Sequence, residues 1–359
     1  MDLAVTNEET TVTPGKDSAI TVRTLTPELR EQWDAYVQSC PAATFFHLSG
    51  WQEIIEKAFG HRTHFLYAER DGRIAGVLPL GHIRSRLFGN ALISTPFCVY
   101  GGIATEDDAV FHELEVAACA LADSLNVDYL EMRNREDRHA GWPGKDLYVT
   151  FRKAIDPDPE QNLLAIPRKQ RAMVRKGIKA GLTGVFDSSV DRLYDAYSQS
   201  VRALGTPVLP KRYFELLQSI FGKSCDILTV THDDELISSV MNFYFRDEVL
   251  PYYGGGTPLA RRLKGNDFMY WELMRRSCER GLRVFDYGRS KQGTGSWSFK
   301  KNWGFEQEPL YYRYYLVKAD RVPEISPMNP KDRLFINAWK RLPLPLTRII
   351  GPWLARNLG

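Results

Sequence analysis

Two segments of the chain concentrate residue types that bind or stabilise negative charge. The first is PRKQRAMVRKGIKAG, residues 167–181, with Arg168, Lys169, Arg171, Arg175, Lys176 and Lys179 and no acid. Pro167 suits the first turn of a helix, where its missing N–H would have no partner anyway. On that helix Arg168, Arg171 and Arg175 share one face. Like charges held so close repel, and nothing within the segment offsets them. A bound phosphate or diphosphate would, because a guanidinium fork matches its oxygens in pairs. A solvated basic face paired with acids from elsewhere is the other reading.

The second segment is FDYGRSKQGTGSWSFKKNWGF, residues 285–305. Asp286 stands in a predicted strand, followed by Arg289 and then by Lys300 and Lys301. A carboxylate beside Arg289 and Lys300 would orient both cations. Cations so oriented can stabilise the oxyanion that develops in acyl transfer. A structural ion pair beside an ordinary glycine loop gives the same pattern. Tyr252-Tyr253 before Gly254-Gly255-Gly256 form a third candidate, the wall of a ligand groove or a simple turn. Asp286, Tyr253 and Asp108 are the candidates for a general base. The chain has no GxSxG elbow and no cysteine in an electropositive motif, so no covalent nucleophile is indicated. Direct transfer within a ternary complex follows as the expected mechanism.

These groups need a scaffold. Phe65–Ala68 and Ile74–Leu80 flank Asp71-Gly72, the pattern of a hairpin. A strand over 91–99, a helix over 109–125 and a strand over 129–132 follow. The order recurs in the second half, with a hairpin around Asp233-Asp234, a strand over 249–253, a helix over 267–280 and a strand over 284–287. Like elements in like order at near-constant spacing predict a duplicated unit. The expected fold class is α+β: two tandem domains, each a mixed, mostly antiparallel sheet flanked by helices. The expected segments are a disordered tail at 1–19, domains at 20–155 and 156–320, and a basic amphipathic helical tail at 321–359.

The chain has 359 residues, 43% of them apolar, and a net charge of +3 from 47 basic and 44 acidic residues. That balance argues against a general nucleic-acid coat. No run of about 18 apolar residues exists to span a membrane. The first residues lack the basic and apolar regions of a secretory signal, which predicts a cytoplasmic protein. Five widely spaced cysteines (40, 98, 119, 225 and 278) read as reduced thiols, and no metal site is expected.

The set GNDFMYWELMRRSCERGLRVFDYGRS, followed by GSWSFKKNWGF, resembles the second domain of FemAB-like proteins and the related BioF2-like acetyltransferase domain of the GNAT superfamily. IPRKQRAMVRKGIKAGL resembles the start of that domain, and FFHLSGW (45–51) and YGG (100–102) resemble the first domain. The resemblance covers about residues 40–317 and is nearest to the FemAB-like proteins associated with exosortase/PEP-CTERM loci. It implies two tandem GNAT-like domains and transfer of an acyl or aminoacyl group to an amine of a cell-envelope or exopolysaccharide precursor. It maps an active-site Phe-Lys pair onto Phe299 and Lys300, with Lys300, Asp286 and Arg289 as catalytic residues. Arg168, Lys169, Arg171, Arg175, Lys176, Tyr253, Phe299 and Trp303 become the substrate-binding set. No tightly bound cofactor is implied; acyl-CoA or aminoacyl-tRNA serves as co-substrate. The chain lacks both the long charged hairpin of some Fem proteins and the usual Q/RxxGxG/A pyrophosphate loop, so the donor stays open. The rival function is a non-catalytic binding module for a phosphorylated or nucleotide-sugar precursor. Residues 325–359 carry six cations, one acid and several large apolar residues. Such a tail reads either as a terminal helix docked on the second domain or as a peripheral contact with the inner face of a membrane, where a lipid-linked precursor would be met.

Overall fold

The computed structural model describes residues 19–85, 89–139, 141–323 and 330–358. The expected disorder of residues 1–18, and the side chains of Lys331 and Arg333, lie outside the described residues. The first half runs β1 (Thr21–Thr24), α1 (Arg30–Ser39), α2 (Gly50–Phe59), β2 (Arg62–Arg70), β3 (Arg73–Ser85), β4 (Gly89–Ser94), α3 (Asp108–Ser124), β5 (Tyr129–Asn134), β6 (Gly144–Lys145) and β7 (Tyr148–Ala154). The second runs α4 (Pro159–Ala165), α5 (Arg168–Lys179), β8 (Thr183–Phe186), α6 (Asp191–Leu204), α7 (Lys211–Phe221), β9 (Cys225–His232), β10 (Glu235–Phe245), β11 (Glu248–Gly256), α8 (Pro258–Leu263), α9 (Gly265–Glu279), β12 (Val284–Asp286), β13 (Ser290–Lys291), α10 (Gly295–Asn302), β14 (Glu306–Pro309) and β15 (Tyr311–Leu316). Helices α11 (Pro330–Arg341) and α12 (Leu344–Ala355) close the chain.

The order strand, two helices, three strands, helix, strand occurs in both halves, with the short α8 added before α9 in the second. Both predicted hairpins form. Asp71 and Gly72 take φ of 52° and 71°, and Asp233 and Asp234 take 48° and 63°, as two-residue turns matched to strand twist require. The strand expected over 91–99 stops at Ser94, because Thr95 and Phe97 both turn to positive φ. The Gly254–Gly256 run is neither turn nor groove wall. It continues β11, paired with Ser238–Val240 of β10. Its glycines answer to a close approach: a Cβ on Gly255 would stand 2.5 Å from the Ala196 carbonyl oxygen of α6.

The seven-stranded sheet has the order β1-β2-β3-β4-β5-β15-β6, and the eight-stranded sheet β13-β7-β12-β11-β10-β9-β8, with β14 also pairing β7. In each, one pair is parallel, β4 with β5 and β11 with β12. The halves exchange strands. β7, sequentially the end of the first half, lies in the second sheet, and β15 returns from the second half into the first. A cut at residue 155 therefore does not separate the two sheets.

The FFHLSGW aromatics fill the seam between the halves. Phe45 stacks on Phe243 with centroids 4.4 Å apart, Phe46 packs on Tyr252 at 5.1 Å, and Trp51 on Phe221 at 5.3 Å. Trp51 is fully buried, and its Nε1 donates to the Phe45 carbonyl at 3.1 Å. Trp51→Ala is expected to cost about 3–5 kcal/mol, measured by urea unfolding. Because the seam core belongs to both halves, one cooperative transition should shift as a whole; two transitions, with only one displaced, would refute that.

Candidate active site

The strand exchange assembles the centre of the site. Insertion of β7 beside β12 sets Arg152 directly opposite Asp286. Asp286 is 1% exposed, and both of its oxygens are engaged. Oδ1 accepts from the Gly288 N–H at 2.7 Å and from the Thr150 hydroxyl at 3.1 Å. Oδ2 lies 3.0 Å from the Tyr100 hydroxyl and 3.3 Å from Arg152 Nε. A buried charge needs such partners to be tolerated. With partners on both oxygens, Asp286 is placed to tie the turn after β12 to Thr150 and Tyr100 rather than to serve as a general base.

What it positions is the turn after β12. Lys300, on α10, donates from Nζ to the Gly288 carbonyl at 2.9 Å and to the Arg289 carbonyl at 3.0 Å. The turn thus hangs between Asp286 on one side and Lys300 on the other. Burial pushes the Lys300 pKa down to about 7; nearby Asp286 raises it and Arg289 lowers it further. Arg289 is open to solvent at one end but walled by aromatic rings, its guanidinium 4.8 Å from the Tyr148 ring and 5.7 Å from that of Tyr312. Its Nη1 donates to the Tyr312 hydroxyl at 3.0 Å. Among the described residues no acid pairs with it.

The remaining candidates divide. Phe299 packs on Tyr270 at 5.7 Å and stays partly open beside Lys300. Trp303 is fully buried among Tyr270, Tyr287 and Phe299, so it supports the loop from beneath rather than facing a substrate. Tyr253 is also interior. Its hydroxyl sits 2.8 Å from that of Tyr213, and burial raises its pKa far above the phenol's own, which removes it as a base. Asp108 is the first residue of α3, beside the cap Asp107; it is almost fully exposed, bound to Arg138, and outside the cleft at the seam.

Arg168, Arg171, Arg175, Lys176 and Lys179 line one shallow hollow of about 330 Å³ on α5. Lys169 lies on the same helix without lining it. The opposite face packs on α9 through Val174 and Gly177. Among the described residues none of these six cations meets an acid; Arg171 instead donates to the Leu164 carbonyl. At the head of α5, Pro167 comes within 3.0 Å of where a Cβ on Gly304 would stand, so the basic helix begins against the end of the Lys300 segment.

Sequence reasoning missed a second cavity. A cleft of about 460 Å³ lies at the seam, lined among others by His47, Tyr100, Asn134, Arg135, Arg138 and Glu308. His47 Nε2–H donates to the Gly102 carbonyl at 2.8 Å and its Nδ1 accepts from the Thr44 N–H at 3.0 Å. Burial pushes its pKa down to about 4, so it is a neutral clamp that ties FFHLSGW to YGG and thereby fixes Tyr100. Asn134 is buried at the cleft with its Nδ2 unpartnered. The two motifs were visible; that they meet, and that Tyr100 reaches Asp286, required the fold.

Known proteins share this architecture. Residues 168–301 match the sequence family described as acetyltransferase (GNAT) domain, which spans the basic helix through Lys301. The crystal structure of FemX aligns with a TM-score of 0.65 at 16% identity, over 83% of this chain and 98% of FemX. A tandem GNAT protein from the clavulanic acid biosynthesis pathway aligns with a TM-score of 0.52 at 13% identity, over 86% of this chain and all of that one. The C-terminal domain of a putative lysylphosphatidylglycerol synthetase from Agrobacterium fabrum gives 0.54 at 14%, over 80% and 91%. No curated protein matches the sequence. The fold is thus α+β, two tandem GNAT-like units with mixed sheets flanked by helices and a helical C-terminal tail.

Proposed function

We propose that this chain is an N-acyl or aminoacyl transferase acting by direct transfer on an amine of a cell-envelope or exopolysaccharide precursor. The observation that carries the reading is Lys300. Its Nζ is pinned by two carbonyls of a turn that Asp286 holds rigid, which leaves its remaining N–H free for a substrate oxygen. The acceptor nitrogen attacks the donor carbonyl carbon, and the carbonyl oxygen gains charge that the Lys300 ammonium stabilises. Collapse of the intermediate breaks the donor's C–S or C–O bond, and the leaving group departs with the proton lost by the amine. Asp286 has both oxygens engaged and Tyr253 is buried with its pKa raised, so we assign that proton transfer to a group on the substrate, with the neutral Lys300 amine as its rival. The cationic hollow on α5 suits the donor's phosphates. The seam cleft, with Arg135, Arg138 and Asn134, suits an acceptor bearing an anionic group.

The match to an acetyltransferase domain favours an acyl-CoA donor over aminoacyl-tRNA. The purified chain should release free CoA from an acyl-CoA only when an envelope-precursor extract is added. Acceptor-dependent deacylation of bulk charged tRNA would instead assign the aminoacyl donor. Precursor binding with neither signal would sink the transferase reading and favour a binding module.

A further inference from the structure

The C-terminal helix α12 is built inside out. Thr347, Gly351 and Ala355, spaced four apart, face the protein and are buried. A Cβ on Gly351 would come within 2.8 Å of Val208 Cγ1, so only small side chains fit that face. The large apolar residues take the other face: Leu346, Ile349, Ile350 and Trp353, with Ile349 75% and Trp353 55% exposed. Leu334 and Phe335 of α11 are exposed as well. Seven of the thirteen large apolar residues left exposed among the described residues fall between 334 and 358, a concentration that scattered surface leucines do not produce.

This is not a frayed end. Arg348 pairs with Asp195 and donates to the Ser198 hydroxyl on α6, at 2.9 Å from Nε. The Arg356 carbonyl accepts from His61 Nε2, and Arg202 Nε donates to the Leu342 carbonyl at 2.7 Å. The helix is held rigidly with its apolar face outward. Along residues 334–358 every charged side chain is a cation, with no Asp or Glu, and the acid that α12 meets, Asp195, is paired with Arg348. Lys340, Arg341 and Arg356 are exposed without an acid partner among the described residues.

The geometry points to α12, with α11, as a docking surface for an anionic lipid bilayer. Isoleucine, leucine and tryptophan enter the headgroup–acyl boundary while the flanking cations meet lipid phosphates. A second copy of the chain is a poor occupant, since two such faces would oppose like charges. The surface does not rest on the transferase reading, and its test needs no turnover. Co-sedimentation of the full chain with vesicles of pure phosphatidylcholine, or with one third phosphatidylglycerol, is the experiment. Binding is expected to the anionic vesicles alone and to fall as salt rises. The double variant Ile349→Asp/Trp353→Asp should abolish it, and Lys340→Gln/Arg341→Gln should weaken it about tenfold or more. These side chains are exposed, so thermal unfolding should stay unchanged. Failure of the full chain to bind, equal binding to both vesicles, or binding indifferent to the apolar double variant would overturn the proposal. So would a dimer in sedimentation velocity that the same variant dissolves.

Discussion

Lys300→Ala is expected to lower kcat by about 10²–10³-fold, the usual loss when one donor to a developing oxyanion is removed. KM for the donor should change far less, because the lost contact matters only once charge has moved onto the carbonyl oxygen. The pH profile separates this role from its rival. The Lys300 pKa lies at about 7, so the ammonium is present below that pH and disappears above it. If the cation stabilises the oxyanion, activity falls as pH rises through 7. If the neutral amine were instead the general base, activity would rise through the same window. Lys300→Arg keeps its charge to high pH and should carry the alkaline limb upward while retaining part of kcat. Unchanged activity in Lys300→Ala would remove this residue from the mechanism.

Loss of fold is not the expected reason for that effect. The folded-state pKa lies below the ordinary 10.5, so between about pH 7 and 10.5 the unfolded chain binds the proton that the native chain has shed. Stability from this group therefore rises with pH across that window, and below pH 7 the native state carries the full cost of the charge. Replacing Lys300 with Met should leave the protein at least as stable at pH 6. A group that costs stability yet is held by two carbonyls fits a functional position.

The legible parts of the sequence were local. The hairpin turns, the α3 and α9 periodicities and the basic face of α5 follow from neighbours a few residues apart, and so does the duplicated order. Lys300 and Arg289 stand out by their place after a strand-end Asp and by resemblance, since spacing alone fits a structural ion pair beside a glycine loop equally well. The misreadings were non-local. Gly254–Gly256 look like a turn until α6 lies against them. Trp303 looks like a substrate contact until three aromatic side chains, Tyr270, Tyr287 and Phe299, close around it. Asp286 read as a possible base because nothing in its own segment reveals Thr150 and Arg152, which arrive on a strand that pairs across the chain. Tyr100 stands 186 residues from Asp286, a separation over which no periodicity speaks.

Asp286→Ala should be the most damaging single change at the site, in two measurable ways. It strips partners from the Gly288 N–H, the Thr150 and Tyr100 hydroxyls and the Arg152 guanidinium at once. Arg152 retains Glu248, which softens the loss. Breaking a buried pair by removing one member costs about 3–5 kcal/mol, so unfolding in urea should shift by about that much. A structural role alone would predict nothing more. A positioning role predicts that Asp286→Asn, which keeps the shape and some of the hydrogen bonds, still loses kcat with little change in KM. It also predicts a displaced pH profile. The Asp286 charge raises the Lys300 pKa against burial and Arg289; without it that pKa drops further, and the alkaline limb should move to lower pH. A stable Asp286→Asn protein with an unshifted limb would separate the two residues and leave Asp286 as scaffold only. A limb shifted down in Asp286→Asn and up in Lys300→Arg would tie the buried carboxylate to the ammonium that meets the substrate.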